Sequence, residues 1–369
     1  MHYKFLIYIS YSYAVPIGNP LEKEITDRGY TVYWYSDLKD GKNALKEKTN
    51  QLTSIQEVVD YQPHIILTAT NVVPDFISGL KVQIFHGFNA EKRPEKKNTF
   101  SHFRIRGFFD LYCTQGPTTT QGFKEQQKKH PHFEVIETGW SKVDPLFPIS
   151  EIRKNEKPTV MIASTFSKRL SLAFNNQVFE EIKKLSKNGS FNFIMVLHPK
   201  LPNEIKEKWS QLNGKYFTYY NTTDLIPLFK KSDIMFADTT SAVQEFLVQK
   251  KPVVTFNHTF NHNYLINITT AEAIESSLKK AQSYPKEIMD NINKFISKLH
   301  PYFDGKSSER VISATIDFLH KDKSYLKRKP INLIRKYKIR KRLNYFTFKG
   351  FNKPFTIELD KMVDLPNTK

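Results

Sequence analysis

Short apolar runs alternate with amphipathic stretches along most of the chain, and this alternation restricts the fold more than any other feature. The runs are rich in β-branched and aromatic residues and predict strands, whereas the stretches between them have helical periodicity. A repeated strand-then-helix order is typical of a parallel sheet with helices on both faces. We predict strands at 5–9, 31–35, 64–69, 82–85, 110–114 and 133–138, and again at 159–163, 191–197, 215–220, 233–237 and 252–256.

The predicted strands and helices form two similar groups, one in each half of the chain. A polar, charged stretch at 147–158 separates the halves. We therefore predict two Rossmann-like domains, 1–150 and 151–320, with parallel sheets facing a central cleft, followed by a basic C-terminal tail, 321–369. Ligands of open α/β sheets bind beyond the carboxyl ends of the strands, so residues just after strands are the candidates for function. Helices are predicted at 22–28, 44–61, 119–129, 172–186, 225–231 and 241–249.

The chain is strongly basic, with 56 Lys and Arg against 37 Asp and Glu and a formal charge of +19. This charge favours an anionic partner, which could be nucleic acid, acidic lipid or a phosphorylated substrate. Part of it lies in residues 321–353, where Lys and Arg alternate with Leu, Ile, Tyr and Phe. That segment fits an anionic bilayer surface, but a solvated tail or a segment packed across the first domain fits it as well.

The sequence also indicates a cytoplasmic location. No apolar run reaches 18 residues, so we predict no membrane-spanning helix. Residues 1–10 read as a buried first strand rather than a signal peptide. The single cysteine, Cys113, excludes an internal disulfide and fits a reducing compartment.

Three histidines, His86, His198 and His258, lie at or just beyond the ends of predicted strands, and the first two have basic residues close by. His86 lies in FHGFNAEKR, where a glycine allows a sharp turn and Lys92 and Arg93 follow. Because the ordinary pKa of histidine is near neutrality, His86 could remove a proton from an attacking hydroxyl. His198 lies in VLHPK beside Lys200, and this pair could bind phosphate. The alternative for His86 and for His198 is a structural role in a turn.

The segment ADTTSAVQEF contains the sharpest candidate for phosphate binding. A strand ends at Asp238, and Thr240 and Ser241 stand where a helix begins. Hydroxyl side chains and free N–H groups at a helix start attract phosphate. Glu245 follows Ser241 by one turn on the same face and could accept hydrogen bonds from ribose hydroxyls. An ordinary helix cap is the alternative for Thr240 or Ser241 alone.

Several well-known functional motifs are missing from the sequence. It contains no GxxxxGK[ST] or GxGxxG loop, no CxxC or HExxH motif, and no GxSxG elbow. A DxD metal motif and RNA-binding signatures are also missing. We therefore predict that the chain needs no metal or other cofactor and binds no nucleic acid.

Four segments, in order over roughly residues 80–320, resemble those of the CDP-glycerol glycerophosphotransferases, the teichoic-acid primases and polymerases. The resemblance implies the GT-B fold, with the donor held mainly by the second domain. It further implies that His86 is the general base, that His198, Thr240 and Ser241 bind the pyrophosphate, that Asp238 shapes their loop, and that Arg310 reaches the phosphates. The segments are HGFNAEKR, TGWSKVDPLF, DTTSAVQEF and FDGKSSER.

The same segments depart from the family pattern at several positions. Phe88 and Asn89 replace Thr-Pro, Thr239 replaces an aromatic residue, and Glu245 stands where the family has Asp. These departures leave the donor open between CDP-glycerol, CDP-ribitol and a nucleotide sugar. The alternatives to a glycerophosphotransferase are a GT-B glycosyltransferase that uses a nucleotide sugar and a non-catalytic polyanion-binding protein.

The function predicted from the sequence is transfer of glycerol phosphate, or a related polyol phosphate, from a CDP-activated donor with release of CMP. The expected acceptor is a hydroxyl of a surface polysaccharide or of a glycan or lipid-linked, teichoic-acid-like polymer. The expected location is the cytoplasm, on the inner face of the cell membrane if the basic tail binds lipid.

Overall fold

Residues 1–88, 102–149 and 157–357 are described by the computed structural model. They form two compact units. Unit 1 contains residues 1–86, 102–144 and 304–357, and unit 2 contains residues 87–88, 145–149 and 157–303.

Unit 1 is built on a parallel sheet of six strands in the order β2-β1-β3-β4-β5-β6. The inner strands β3, β4 and β5 are buried along their whole length and β1 is buried from Phe5 onward, as expected for a parallel sheet covered on both faces. In the register of the sheet, Phe5 lies opposite Val32 on one side and Ile65 on the other. The strands are β1 (Lys4–Ile9), β2 (Thr31–Ser36), β3 (Ile65–Thr68), β4 (Leu80–Gln83), β5 (Leu111–Thr114) and β6 (Glu134–Glu137).

Unit 2 contains a second parallel sheet of six strands, in the order β12-β11-β10-β7-β8-β9. Its core includes Val160, Ile162, Met195 and Phe236 from the strands and Trp209 from a covering helix. The strands are β7 (Thr159–Ser164), β8 (Asn192–Leu197), β9 (Phe217–Tyr220), β10 (Ile234–Ala237), β11 (Val253–Phe256) and β12 (Ile266–Ile268).

The helices follow the strands in chain order, except for two that come at the end of the chain and belong to unit 1. Those of the first segment are α1 (Val15–Asp27), α2 (Lys39–Ala44), α3 (Ile55–Tyr61) and α4 (Pro117–Lys129). Unit 2 has α5 (Asn176–Asn188), α6 (Asn203–Ser210), α7 (Ile226–Lys231), α8 (Ala242–Leu247), α9 (Ala273–Gln282) and α10 (Lys286–Leu299), and the final two are α11 (Ser307–His320) and α12 (Leu333–Leu343).

The long helix predicted at 44–61 is wrong. Residues 50–52 instead pair with the edge strand β2: Trp34 N–H donates to Asn50 O at 2.9 Å and Leu52 N–H donates to Trp34 O at 2.8 Å. Helix α3 begins only after this pairing, where the Ser54 hydroxyl accepts the Glu57 N–H at 3.1 Å. Edge pairing and a cap therefore replace the middle of the predicted helix.

Helix α11 belongs to unit 1, whereas the predicted domain boundaries placed it in the second domain, 151–320. It packs against α1, and Arg28 Nη1 donates to Ser313 Oγ at 3.1 Å. Asp144 caps its start by accepting the N–H groups of Ser307 and Ser308 at 2.9 and 2.6 Å. These contacts make α11 part of unit 1.

Helix α12 covers a part of unit 1 that its own loops leave without a helix. The connection between β3 and β4, residues 69–79, contains no helix. Ile339 of α12 is buried in the core cluster that includes Ile66 and Phe76, and Tyr345 packs on Phe76 with ring centroids 4.9 Å apart. The basic tail is thus packed on unit 1 at least as far as Phe351, whose N–H donates to the Asp75 carbonyl at 3.0 Å.

None of the helices in the described ranges is both long enough and apolar enough to cross a membrane.

Candidate active site

His86 lies three residues beyond the end of β4, and its side chain is exposed. The residue before it, Phe85, has a positive φ of 58°, so the chain turns sharply at this point. Phe85 is held by the Trp140 Nε1–H, which donates to its carbonyl at 3.3 Å, and by the ring of Phe123 at 5.0 Å. This buried support directs the imidazole of His86 away from the core.

Two residues near His86 were not predicted. The ring of Tyr13 lies 6.0 Å from that of His86, and burial raises the pKa of Tyr13 to about 12. Burial, together with the charges of His86 and Arg106, lowers the pKa of His102 to about 4. At neutral pH both neighbours are therefore uncharged. Tyr13 could have been found from its position just after β1, whereas nothing in the sequence marks His102.

Asp238 of unit 2 is fully buried just beyond the end of β10. Its carboxylate accepts the hydroxyl of Ser164 at 2.6 Å and the N–H groups of Thr165 and Leu172 at 3.0 and 2.9 Å. It therefore joins the loops that follow β7 and β10. This geometry fits the loop-shaping role predicted for Asp238, since the carboxylate is turned into the protein rather than towards solvent.

Thr240 and Ser241 are half-buried at the start of α8. This helix has six residues and is shorter than predicted, and the Thr240 N–H already donates to the Asp238 carbonyl at 2.8 Å. Phosphate binding at this turn would therefore depend on the two hydroxyls more than on the helix dipole. Glu245 lies one turn further along and is buried, at 5% exposure.

His198 follows β8, and its Nδ1 accepts the N–H of Lys200 at 3.1 Å. A neutral imidazole held in this way carries its proton on Nε2, where it can donate to a phosphate oxygen. The exposed ring of Phe166, in the loop after β7, lies 4.6 Å from His198 and 5.4 Å from the ammonium of Lys200. Phe166 was not predicted, although it too follows a strand.

The sheet order places these unit 2 residues together at the side of the sheet where the strands have their carboxyl ends. Strands β10, β7 and β8 are neighbours, so the loops after their carboxyl ends lie side by side. One loop contributes Thr240 and Ser241, the next Phe166, and the third His198 and Lys200. The sequence predicted four of these five residues.

Arg310 is engaged within unit 1. Its guanidinium binds Asp304 through two hydrogen bonds of 2.8 and 3.0 Å, and its Nε–H donates to the Thr138 carbonyl at 2.8 Å. The Arg310 hydrogen bonds lower the pKa of Asp304 to about 2. Arg310 thus holds the start of α11 in this structure, and its predicted contact with phosphate stays a prediction. Lys92 and Arg93 lie outside the described residues.

Residues 1–88, 102–149 and 157–357 contain no group of three or more His, Cys, Asp or Glu side chains placed to hold a metal ion.

Residues 85–264 match the family model described as CDP-Glycerol:Poly(glycerophosphate) glycerophosphotransferase. The match covers 180 of the 369 residues. It includes His86, His198, Thr240 and Ser241. The resemblance predicted from the four ordered motifs is therefore confirmed, and so is the class of enzyme, a CDP-glycerol glycerophosphotransferase-type transferase.

Solved structures of two kinds of enzyme resemble the chain. The wall teichoic acid polymerase TagF has a TM-score of 0.63 at 14% identity, over 85% of this chain and 88% of that chain. A UDP-GlcNAc 2-epimerase from Neisseria meningitidis, bound to UDP-GlcNAc, has a TM-score of 0.56 at 15% identity, over 85% and 99%. A putative UDP-N-acetylglucosamine 2-epimerase from Listeria monocytogenes has a TM-score of 0.56 at 14% identity, over 85% and 96%.

Identities this low show the fold, and they confirm the predicted GT-B class with two parallel sheets. No curated protein matches the chain by sequence.

Proposed function

We propose that the chain transfers glycerol phosphate, or a related polyol phosphate, from a CDP-activated donor to an acceptor hydroxyl and releases CMP. The observation that carries the proposal is the family match over residues 85–264, which contains an exposed histidine on a rigid turn. The solved structures of TagF include one soaked with CDPG, which supports a cytidine diphosphate donor. The acceptor is a surface polysaccharide or a lipid-linked, teichoic-acid-like polymer at the inner face of the cell membrane.

His86 takes the proton from the acceptor hydroxyl, and the oxygen attacks the phosphorus that carries the glycerol. CMP leaves as the bond from this phosphorus to the cytidylyl oxygen breaks. Tyr13 stays protonated at neutral pH because of its raised pKa, so it does not compete with His86 as a base.

Phosphoryl transfer depends on stabilising charge on the phosphate oxygens. In unit 2, the Nε2–H of His198, the ammonium of Lys200 and the hydroxyls of Thr240 and Ser241 lie along one sheet edge and can supply this stabilisation. Glu245 would contact the nucleoside only after a local change, because it is buried. Arg310 would need to exchange its bonds with Asp304 for phosphate.

The test is a His86→Asn variant, with His130→Asn as a matched control at an exposed histidine at the end of α4. Loss of a general base is expected to slow CMP release by roughly 10²–10⁴-fold. Donor affinity, measured by calorimetry with CDP-glycerol, should stay within about twofold, since His86 acts on the acceptor. A His86→Asn enzyme that keeps its rate within threefold of the native rate would disprove the base assignment.

A second candidate, a glycosyltransferase using a nucleotide sugar, is favoured by the fold likeness to the epimerase bound to UDP-GlcNAc. A panel of donors separates the two functions. CMP release from CDP-glycerol or CDP-ribitol supports the first function, and UDP release from a UDP-sugar supports the second. Release of neither nucleotide, with binding to polyanions retained, would indicate a non-catalytic protein.

A further inference from the structure

Helix α12 packs on unit 1 with charged side chains turned inward. Lys336 Nζ lies 3.4 Å from Asp75 Oδ2, and Arg340 Nη1 lies 2.6 Å from Asp75 Oδ1. Next along the chain, Arg342 Nη2 lies 2.5 Å from the buried Asp37. A surface helix ordinarily buries an apolar stripe and exposes its charges. Here three cations hold the helix from the inside.

The opposite face of the helix and the chain after it are apolar and exposed. Leu333 and Ile334 are 72% and 73% exposed, and Tyr337 is 56% exposed. The rings of Tyr337 and Phe346 are 6.4 Å apart, so the exposed face continues into the segment after α12. We call this surface the outer patch; its members are Ile331, Leu333, Ile334, Tyr337, Phe346 and Phe348.

The outer patch is an unusual concentration of exposed apolar groups. It holds six of the twelve large apolar side chains that are exposed in the described part of the chain. Contiguous apolar surface of this kind marks an interaction site. Nothing in the packing of α12 requires it, because Ile339 and the inward ion pairs already fix the helix.

The charge around the outer patch selects the partner. Residues 321–357 contain thirteen Lys or Arg and a single acidic residue, Asp322. Lys338 and Lys341 are exposed on the outward side of α12, between the apolar side chains, and Lys349 is exposed just beyond Phe348. Aliphatic groups that enter an acyl layer, set among cations that meet phosphate head groups, match an anionic bilayer. Nucleic acid would not use the aliphatic groups.

We propose that the outer patch docks the chain on an anionic lipid bilayer. Leu333, Ile334 and Phe348 enter the boundary between head groups and acyl chains, while Lys338 and Lys341 contact the phosphates. The inward ion pairs of α12 hold the apolar face towards the lipid before binding, so little ordering is needed on contact. This surface function does not depend on the transfer reaction proposed above.

The test is sedimentation of the full chain with vesicles of phosphatidylglycerol and phosphatidylcholine in equal amounts, compared with pure phosphatidylcholine. Affinity for the anionic vesicles should be at least tenfold higher. The triple variant Leu333→Asn, Ile334→Asn, Phe348→Asn should bind the anionic vesicles at least tenfold more weakly, because it removes three inserted side chains. These positions are exposed, so the melting temperature should not change.

The electrostatic part is tested by Lys338→Glu with Lys341→Glu. Each lysine near an anionic surface contributes roughly fivefold in affinity, so the double variant should bind at least about 25-fold more weakly. Lys128→Glu with Lys129→Glu, at the exposed end of α4, makes the same change in net charge and should stay within threefold of the native chain.

A second measurement uses the variant Ile334→Trp. The fluorescence emission of this tryptophan should shift to shorter wavelength when anionic vesicles are added, because its ring enters an apolar environment. Equal binding to both vesicle types, native-like binding by the outer-patch variants, or no shift for Ile334→Trp would overturn the proposal. Loss of self-association in the triple variant, without vesicle binding by the native chain, would assign the patch to a second copy and would also overturn it.

Discussion

Lys81 is a cation buried in the interior of unit 1, at 1% exposure. Its Nζ donates to the carbonyls of Ile77 and Gly79 at 2.8 and 3.4 Å, and the ion pair of Lys329 with Asp110, 2.7 Å long, lies nearby. Burial, reinforced by the charge of Lys329, lowers the pKa of Lys81 to about 7. The side chain therefore titrates near neutral pH.

This shift predicts a pH dependence of stability. Between pH 7 and about 10 the unfolded chain binds a proton at Lys81 that the folded chain has lost, so the free energy of unfolding should rise with pH. The contribution reaches at most about 1.4 kcal/mol per pH unit. Denaturant titrations should show this rise in the native chain and a smaller rise in Lys81→Met, because burial also lowers the pKa values of Lys251 and Lys323 to about 8.

The exposed Lys124→Met serves as the control and should keep the native pH profile. If Lys81→Met keeps the same slope as the native chain, Lys81 is not the titrating group.

At the scale of single residues, the sequence predicts candidate site residues from their position just after a strand. His86, His198, Thr240 and Ser241 follow the carboxyl ends of strands, and the parallel order of the sheets is enough to place them at those edges. The hydrogen bond that Arg310 donates to the Thr138 carbonyl was not predictable, because the two residues are distant in sequence. The turn of Asp238 into the protein depends in the same way on Ser164 and Leu172, from another loop.

At the scale of elements, α12 replaces the helix that the β3–β4 connection lacks. Its attachment depends on Asp75, a buried carboxylate that pairs with Lys336 and Arg340. The carboxylate also lies close to Lys81. The negative charge of Asp75 thus balances the positive charges of Lys336 and Arg340 on α12 and that of Lys81 on β4.

Asp75→Ala should therefore destabilise the full chain by about 3 kcal/mol, since it leaves two partly buried cations without their carboxylate. Chemical denaturation measures the loss, and limited proteolysis should cut residues 321–357 sooner. Asp60→Ala, an exposed carboxylate on α3, should change stability by less than about 0.5 kcal/mol. A proteolysis pattern like that of the native chain would contradict the anchoring role of Asp75.

The strands were predictable because buried parallel strands are nearly continuous apolar runs. Helix α12 was not, since its apolar residues are divided between two faces: Ile339 is buried, whereas Leu333 and Ile334 are exposed. The helix predicted at 44–61 failed because residues 50–52 pair with β2, a contact that periodicity does not reveal.

At the scale of the whole molecule, unit 1 is discontinuous in sequence. Residues 1–86 and 102–144 supply the sheet, and residues 304–357 supply α11 and α12. The boundary near residue 150 was marked by polar composition, but the return of the chain to unit 1 was not, because it depends on Asp144 capping α11.

A chain truncated after residue 303 should keep unit 2 folded and lose the fold of unit 1. Trypsin digestion followed by mass spectrometry should leave a resistant fragment within 157–303 and degrade 1–144, since the faces under α11 and α12 are uncovered. Truncation after residue 357 should leave both units resistant. Survival of a resistant 1–144 fragment in the shorter chain would show that unit 1 folds without its last two helices.

The return of the chain to unit 1 also fixes an order of events during protein synthesis. The helices α11 and α12, which cover the first sheet, leave the ribosome only after all of unit 2 has been made. Domains that are continuous in sequence ordinarily finish folding from the N-terminus onward. Here the nascent chain carries an unfinished first unit while unit 2 is being made, and chaperones would meet its open sheet face throughout that interval.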